Sequence, residues 1–160
     1  MILCIACKDE PSISEIPQIN FQKVSIYKNI KGNDSMIVLS IDYQDGNGDV
    51  GLDSKDTFPP FNYGGKGFYN LFVTYHVYDG LSWQSLVRPL TLDTINYHQR
   101  IPRLNQSESP RRVSGTLDLR IPASPYPGIK PSKVKFGCTL LDRSFNVSNT
   151  IQSTDINLKH

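Results

Sequence analysis

An antiparallel β-sandwich of about seven strands, all-β and with long irregular loops, is the fold this sequence predicts. Three observations carry it. Apolar residues alternate with period two, and helical periodicity is scarce; the alternating runs are rich in β-branched and aromatic residues; and clusters of Gly, Pro and Asn separate them. A chain of 160 residues suits one domain, and 38% apolar against 20% charged residues suits a globular chain over a disordered one.

The elements follow in order. Ile19 to Tyr27 alternates with one slip, and Met36 to Tyr43 is a β-branched run bounded by Asn33-Asp34 and Asp45-Gly46. Leu71 to Tyr78, Gln84 to Leu90, Val113 to Ile121, Ser132 to Leu141 and Thr150 to Leu158 complete the set. Seven strands at such spacing fit a two-sheet sandwich. Two connections are long: a Pro/Gly-rich excursion from Thr57 through Gly67, and a polar one from Arg100 to Arg112. Loops of that length tend to carry function.

Only Cys138 stands apart from the N-terminal pair Cys4 and Cys7, so the domain has no intrachain disulfide of its own. In Val134 to Leu140 it reads as a small buried hydrophobe. The net charge of +2 excludes an electrostatic argument for nucleic acid. Its distribution is uneven. Six aspartates and one lysine lie between Asp34 and Asp56, whereas eight basic residues face Glu108 and Asp118 between Arg100 and Lys135. The acidic segment suits a cation; the basic one reads as solvated strand faces ahead of a phosphate-facing patch.

The most chemistry lies in Asp42 to Leu52. Asp45, Asn47 and Asp49 bring oxygen-bearing side chains at i, i+2 and i+4, with Gly46 and Gly48 between them. Such a curl can direct several oxygens at one hard cation, and calcium takes six to eight of them. Gly51 would add a main-chain carbonyl, and Asp53 a further carboxylate. An EF-hand is rejected, because its sixth position needs Gly and here holds Val50, and a strand leads in where a helix should. The bland alternative is a turn whose Asp and Asn bond their own backbone.

At the N-terminus, Met1 to Ala6 is a short apolar run that meets Cys7 and then Lys8-Asp9-Glu10. A small residue before a cysteine at the end of an apolar run marks a lipid-attachment boundary. Residues 1–6 are then residual signal peptide, 7–16 a lipidated tether, and 17–160 the folded domain. The run is short and lacks a preceding Lys or Arg, so the signal is expected to begin upstream of Met1. Read instead as Cys4-x-x-Cys7, the pair would be redox or metal-binding, but no second pair supports it. Acyl chains contribute about 0.8 kcal/mol per buried methylene and so anchor without a spanning helix. No stretch approaches the ~20 apolar residues of one.

Two sets of residues resemble known patterns. Lys8-Asp9-Glu10 after the cysteine resembles the signal by which Bacteroidota send lipoproteins to the outer face of the outer membrane. Ile41 to Gly51, Gly115-Thr116-Leu117-Asp118-Leu119, and Val134 to Thr150 with its Asp142-Arg143-Ser144-Phe145-Asn146 turn together resemble an Ig-like lipoprotein domain of the same phylum, from about Ile16 to Leu158. The resemblance implies an Ig-like, fibronectin-III-like sandwich at the cell surface. Asn47 stands where that family often has Asp, which removes one charge from the loop. Asp142, on a hairpin that a sandwich could bring beside the aspartate loop, is a further candidate ligand.

Catalysis lacks a signature. His76 and His98 have no partner at zinc-ligand spacing, and the nucleophile-elbow and phosphate-loop glycine patterns are absent. The expected function is therefore non-enzymatic: a lipid-anchored, calcium-stabilised module serving an outer-membrane partner such as a β-barrel complex. The alternative is a surface glycan-binding lipoprotein serving nutrient uptake, with Trp83, Tyr63 and Tyr69 as candidate stacking rings. In Ig-like folds a single tryptophan is more often core, which is the competing expectation for Trp83.

Overall fold

The computed structural model describes residues 14–105 and 111–160. Cys7, the expected lipidation site, lies outside the described residues, as do the signal remnant and most of the tether. The described residues form eight strands and no helix: β1 (Gln18–Lys28), β2 (Asp34–Asp45), β3 (Leu71–Tyr78), β4 (Trp83–Ser85), β5 (Val113–Pro122), β6 (Lys133–Leu140), β7 (Ile151–Gln152) and β8 (Ile156–Asn157). They make two antiparallel sheets, β1-β2-β5 and β4-β3-β6-β7, with β8 also on β6. This is the expected sandwich.

The alternation fixes which residues face inward. Ile37, Leu39 and Ile41 on β2 pair in register with Ile121, Leu119 and Leu117 on β5, and all but Leu117 are buried. On the facing sheet Leu71, Val73 and Tyr75 pair with Leu140, Cys138 and Phe136. These two sets, with Ile19, Val134 and Ile156, form one contiguous core. Cys138 sits within it, and burial pushes its thiol up to about 12, so it behaves as the inert hydrophobe expected.

The slip in the β1 pattern is a β-bulge. Phe21 pairs with Ile41 but Lys23 with Ser40, so Gln22 is an extra residue. The inward side accordingly changes from Ile19 and Phe21 to Val24.

The strand expected over Thr150 to Leu158 is split into β7 and β8. Cys138 pairs with Ile151, yet Val134 pairs with Ile156, so the register slips by one residue between them. Ser153 bridges the slip: its hydroxyl accepts from the Phe136 amide at 3.0 Å while its own amide donates to the Phe136 carbonyl. Ser148 does the same beyond β6, accepting from the Leu140 amide at 2.9 Å. Ser148→Ala should strand that buried amide and cost about 1–3 kcal/mol in a urea titration. A loss below 0.3 kcal/mol would show that the hydroxyl is dispensable there.

The strand expected over Gln84 to Leu90 ends at Ser85. Pro89 follows, and Leu92 adopts a φ of 59°, turning the chain back so that Thr94 bridges Val87. Residues 96–99 then take over the β3 edge, with Tyr97 donating to the Val73 carbonyl.

β2 ends, β5 begins, β3 begins and β6 ends at a common pole. The aspartate loop and the Pro/Gly-rich excursion both lie there. So does the start of the described chain, where the Ser14 carbonyl accepts from the Gly46 amide at 3.0 Å.

Candidate metal centre

Asp45 closes β2, and the chain then turns through Asn47 and Gly48 into an extended segment, Asp49 to Leu52. That segment is wedged between two others. On one side Val50 bridges Asp142; on the other Leu52 bridges Pro102, and the Leu104 amide donates to the Val50 carbonyl. Two glycines make this close approach possible. Gly48 has φ 70° and Gly51 φ 97°, and a Cβ on either would meet the backbone oxygen of Arg111 or Pro102 at 2.0 or 2.2 Å.

The turn Asp142 to Asn146 brings a third acid to the loop. Its carboxylate is held by the Asn146 amide at 2.7 Å and the Asn146 side chain at 2.8 Å, while Phe145 takes a positive φ. One carboxylate oxygen each from Asp45, Asp49 and Asp142 then lies within 4.8 Å of the other two.

Their hydrogen bonding is incomplete. Asp45, wholly buried, uses Oδ2 to accept from the Asp49 amide at 2.9 Å, and Asp49 uses Oδ2 to accept from the Ser144 hydroxyl at 2.6 Å. Asp45 Oδ1 and Asp49 Oδ1 are buried with no hydrogen-bond partner among the described residues. Burial, with the Asp49 charge second, pushes the Asp45 carboxyl up to about 6. Burial also raises Asp142, against the pull of its Asn146 bonds. Buried and half-buried carboxylates at this spacing repel and are poorly solvated, and an oxygen-seeking cation answers both deficits. An all-oxygen set of three carboxylates selects a hard ion over a thiophilic one.

Of the expected ligands, the structure gathers Asp45, Asp49 and Asp142. Asn47 is given to the backbone instead: its Oδ1 accepts from the Asp49 amide at 3.2 Å, as short polar side chains in turns do. Gly51 serves the close packing on Pro102. Asp53 points elsewhere, its carboxylate 3.3 Å from Arg103 and 4.0 Å from Arg143. A guanidinium pair outcompetes convergence with three like charges, so Asp53 is not among the gathered acids.

The remaining aspartates of the acidic segment also have structural partners. Asp34 accepts from the Lys159 amide and pairs with Lys28; Asp42 accepts from the Thr116 hydroxyl; Asp56 is clamped by both terminal nitrogens of Arg143, which holds its carboxyl below the usual range.

Sequence reading missed Arg100. Its guanidinium donates to four main-chain carbonyls, those of Phe61 and Phe68 at 3.1 and 3.2 Å and those of Asp53 and Asp56 at 3.4 and 2.6 Å. The Pro/Gly-rich excursion is thereby tied to the pole. A lone arginine in a basic stretch carries no local pattern that would reveal this.

The three candidate ring residues separate. Trp83 is not core: it is half-buried on β4, packed on Tyr78 with Lys135 and Lys133 at 4.5 and 5.6 Å from its ring centre, at the opposite pole. Tyr63, 85% exposed, and Tyr69 both pack edge-on to Phe68. Neither histidine joins the metal-ligating cluster among the described residues. His98 accepts the Val73 amide at its Nδ1, and burial lowers its pKa.

Comparison with family models, with curated proteins and with solved structures finds no match. The chemistry of the pole is therefore read from its own residues.

Proposed function

We propose that this chain is a calcium-stiffened, non-enzymatic binding module, tethered to the outer membrane through a lipidated Cys7 and acting as an accessory to an outer-membrane protein complex. The observation that carries it is the carboxylate trio, Asp45 and Asp142 buried and Asp49 half-buried, with two oxygens lacking a hydrogen-bond donor among the described residues. A cation at the trio would clamp the β2 end to the Asp142 turn. The loops of that pole would then be held without a disulfide, which suits a surface module.

The tether supports the same reading. Ser14 is pinned beside the aspartate loop, so a lipid at Cys7 would place the metal pole toward the bilayer. Among the described residues no helix is long and apolar enough to cross a membrane.

The test is a thermal melt of the full chain with calcium and with chelator. At a hundredfold excess over the dissociation constant, binding to the native state alone adds about 2.7 kcal/mol, which raises the midpoint by several degrees. An identical midpoint in both conditions would reduce the trio to a turn.

A further inference from the structure

We propose that the Pro/Gly-rich excursion at the metal pole is a binding site for a neutral sugar chain, with Tyr63 and Phe68 as the wall between two adjoining subsites. The proposal goes beyond the calcium reading and does not need it.

Two clefts stand back to back here. The first, about 330 Å³, is lined by Tyr63, Phe68 and Tyr69 with Gly64 and Gly65. The second, about 340 Å³, is lined by Phe61, Asn62 and the same Tyr63 and Phe68, with Ser54 and Thr57. Each is at the small end of the range for organic ligands, about 300–1,000 Å³. Each holds a ring and not a helix or a strand.

The lining matches a pyranose. A sugar ring offers apolar C–H faces and an equatorial belt of hydroxyls, and so needs flat apolar walls beside fixed donors and acceptors. Phe68 meets Tyr63 at 81° and 5.2 Å, and Tyr69 at 74° and 4.9 Å, so successive rings turn their faces to different sides. The Tyr63 and Tyr69 hydroxyls, Asn62, Ser54 and Thr57 are the polar groups near them.

Charge argues for a neutral ligand. The two charged residues of the second cleft are spent: Arg100 on four carbonyls, and Asp56 on Arg143 and the Asp53 amide. The first cleft has no charged lining residue. The same bonds make the site rigid before any ligand arrives. Arg100 staples both ends of the excursion, and Tyr69 continues the ring contacts to His98 at 5.6 Å. Little ordering cost then opposes binding.

The experiment presents the full chain to immobilised neutral hexose oligomers (β-glucan, chitin, mannan and galactan fragments) beside oligouronates, followed by calorimetry of any hit. Binding to a neutral oligomer should weaken about tenfold in Tyr63→Ala, whose exposed side chain can be lost without unfolding the domain, and remain unchanged in Trp83→Ala at the far pole. Phe68→Ala should weaken it likewise, with its melt checked for folding. No binding to any neutral oligomer by protein with a wild-type melt would overturn the proposal, as would binding confined to oligouronates, binding undiminished in Tyr63→Ala, or a protein partner captured through Tyr63 in place of a sugar. The calcium reading fails separately, by the absent midpoint shift.

Discussion

Asp45→Asn is expected to make the metal-free protein more stable at pH 7.5 and to abolish its stabilisation by calcium. The asparagine keeps the shape of the side chain and the acceptor for the Asp49 amide, and it replaces a buried charge by a neutral donor among carboxylates. Asp45 titrates near 6 in the folded state against about 4 in an unfolded chain, so the native protein binds more protons between those values. Its contribution to stability therefore falls as pH rises from about 4 to about 6, and at pH 7.5 the whole penalty, about 2–3 kcal/mol, is present.

The metal-free wild type should accordingly gain stability on acidification through that window relative to the variant. Asp142, also raised, acts in the same direction in each protein and so does not contribute to their difference. His76 and His98, whose pKa values are lowered, act oppositely below about 6.5, but they are common to both proteins and cancel in the difference. Asp56, lowered, acts only below about 4. The measurement is a pair of urea titrations at pH 5 and 7.5, each with chelator and with calcium. The variant should be the more stable protein in chelator, and calcium should stabilise the wild type alone, by about 2.7 kcal/mol at a hundredfold excess. If the variant is the weaker protein in both, Asp45 is a structural acid with no role toward a cation.

Arg100→Met should have the second large effect. It keeps most of the aliphatic stem and removes donors to four carbonyls, of which that of Asp53 keeps the Asp56 amide. Hydrogen bonds from a charged donor contribute about 1.5–3 kcal/mol each, and they are not additive, so a loss of about 3 kcal/mol is expected. Limited proteolysis of the folded variant should then cut between Ser54 and Lys66, where the wild type resists. Equal resistance in both proteins would show that Pro59, Pro60 and the ring contacts hold the excursion unaided.

What the sequence disclosed depended on how local the cause was. The β1 slip was legible because a bulge moves the inward face within a few residues, and Leu71–Tyr78 because its alternation is unbroken. The stretch after Gln84 misled: Leu86 and Leu90 fall in one period-two phase, yet Leu90 is 88% exposed on a turn set by Pro89 and Leu92. In the site, Asp45 and Asp49 were visible as a spaced pair. Asp142 could be named only through a resemblance of its hairpin, since nothing near it in sequence points to the loop it meets. Asn47 and Asp53 looked equivalent to the gathered acids until backbone and arginine partners claimed them. Arg100 left no trace, because main-chain carbonyls have no signature.

The extra residue at Gln22 also bears on how the molecule meets copies of itself. A foreign strand laid along β1 would fall out of phase midway, β4 is three residues long, and β7 and β8 break the opposite rim with their own change of phase. Such interruptions are how sandwich proteins discourage edge-to-edge polymerisation. Only β5 keeps constant register over ten consecutive residues, with Asp118 and Arg120 along it and Pro122 at its end. An edge-to-edge fibril of this protein would start from that rim, against those charges.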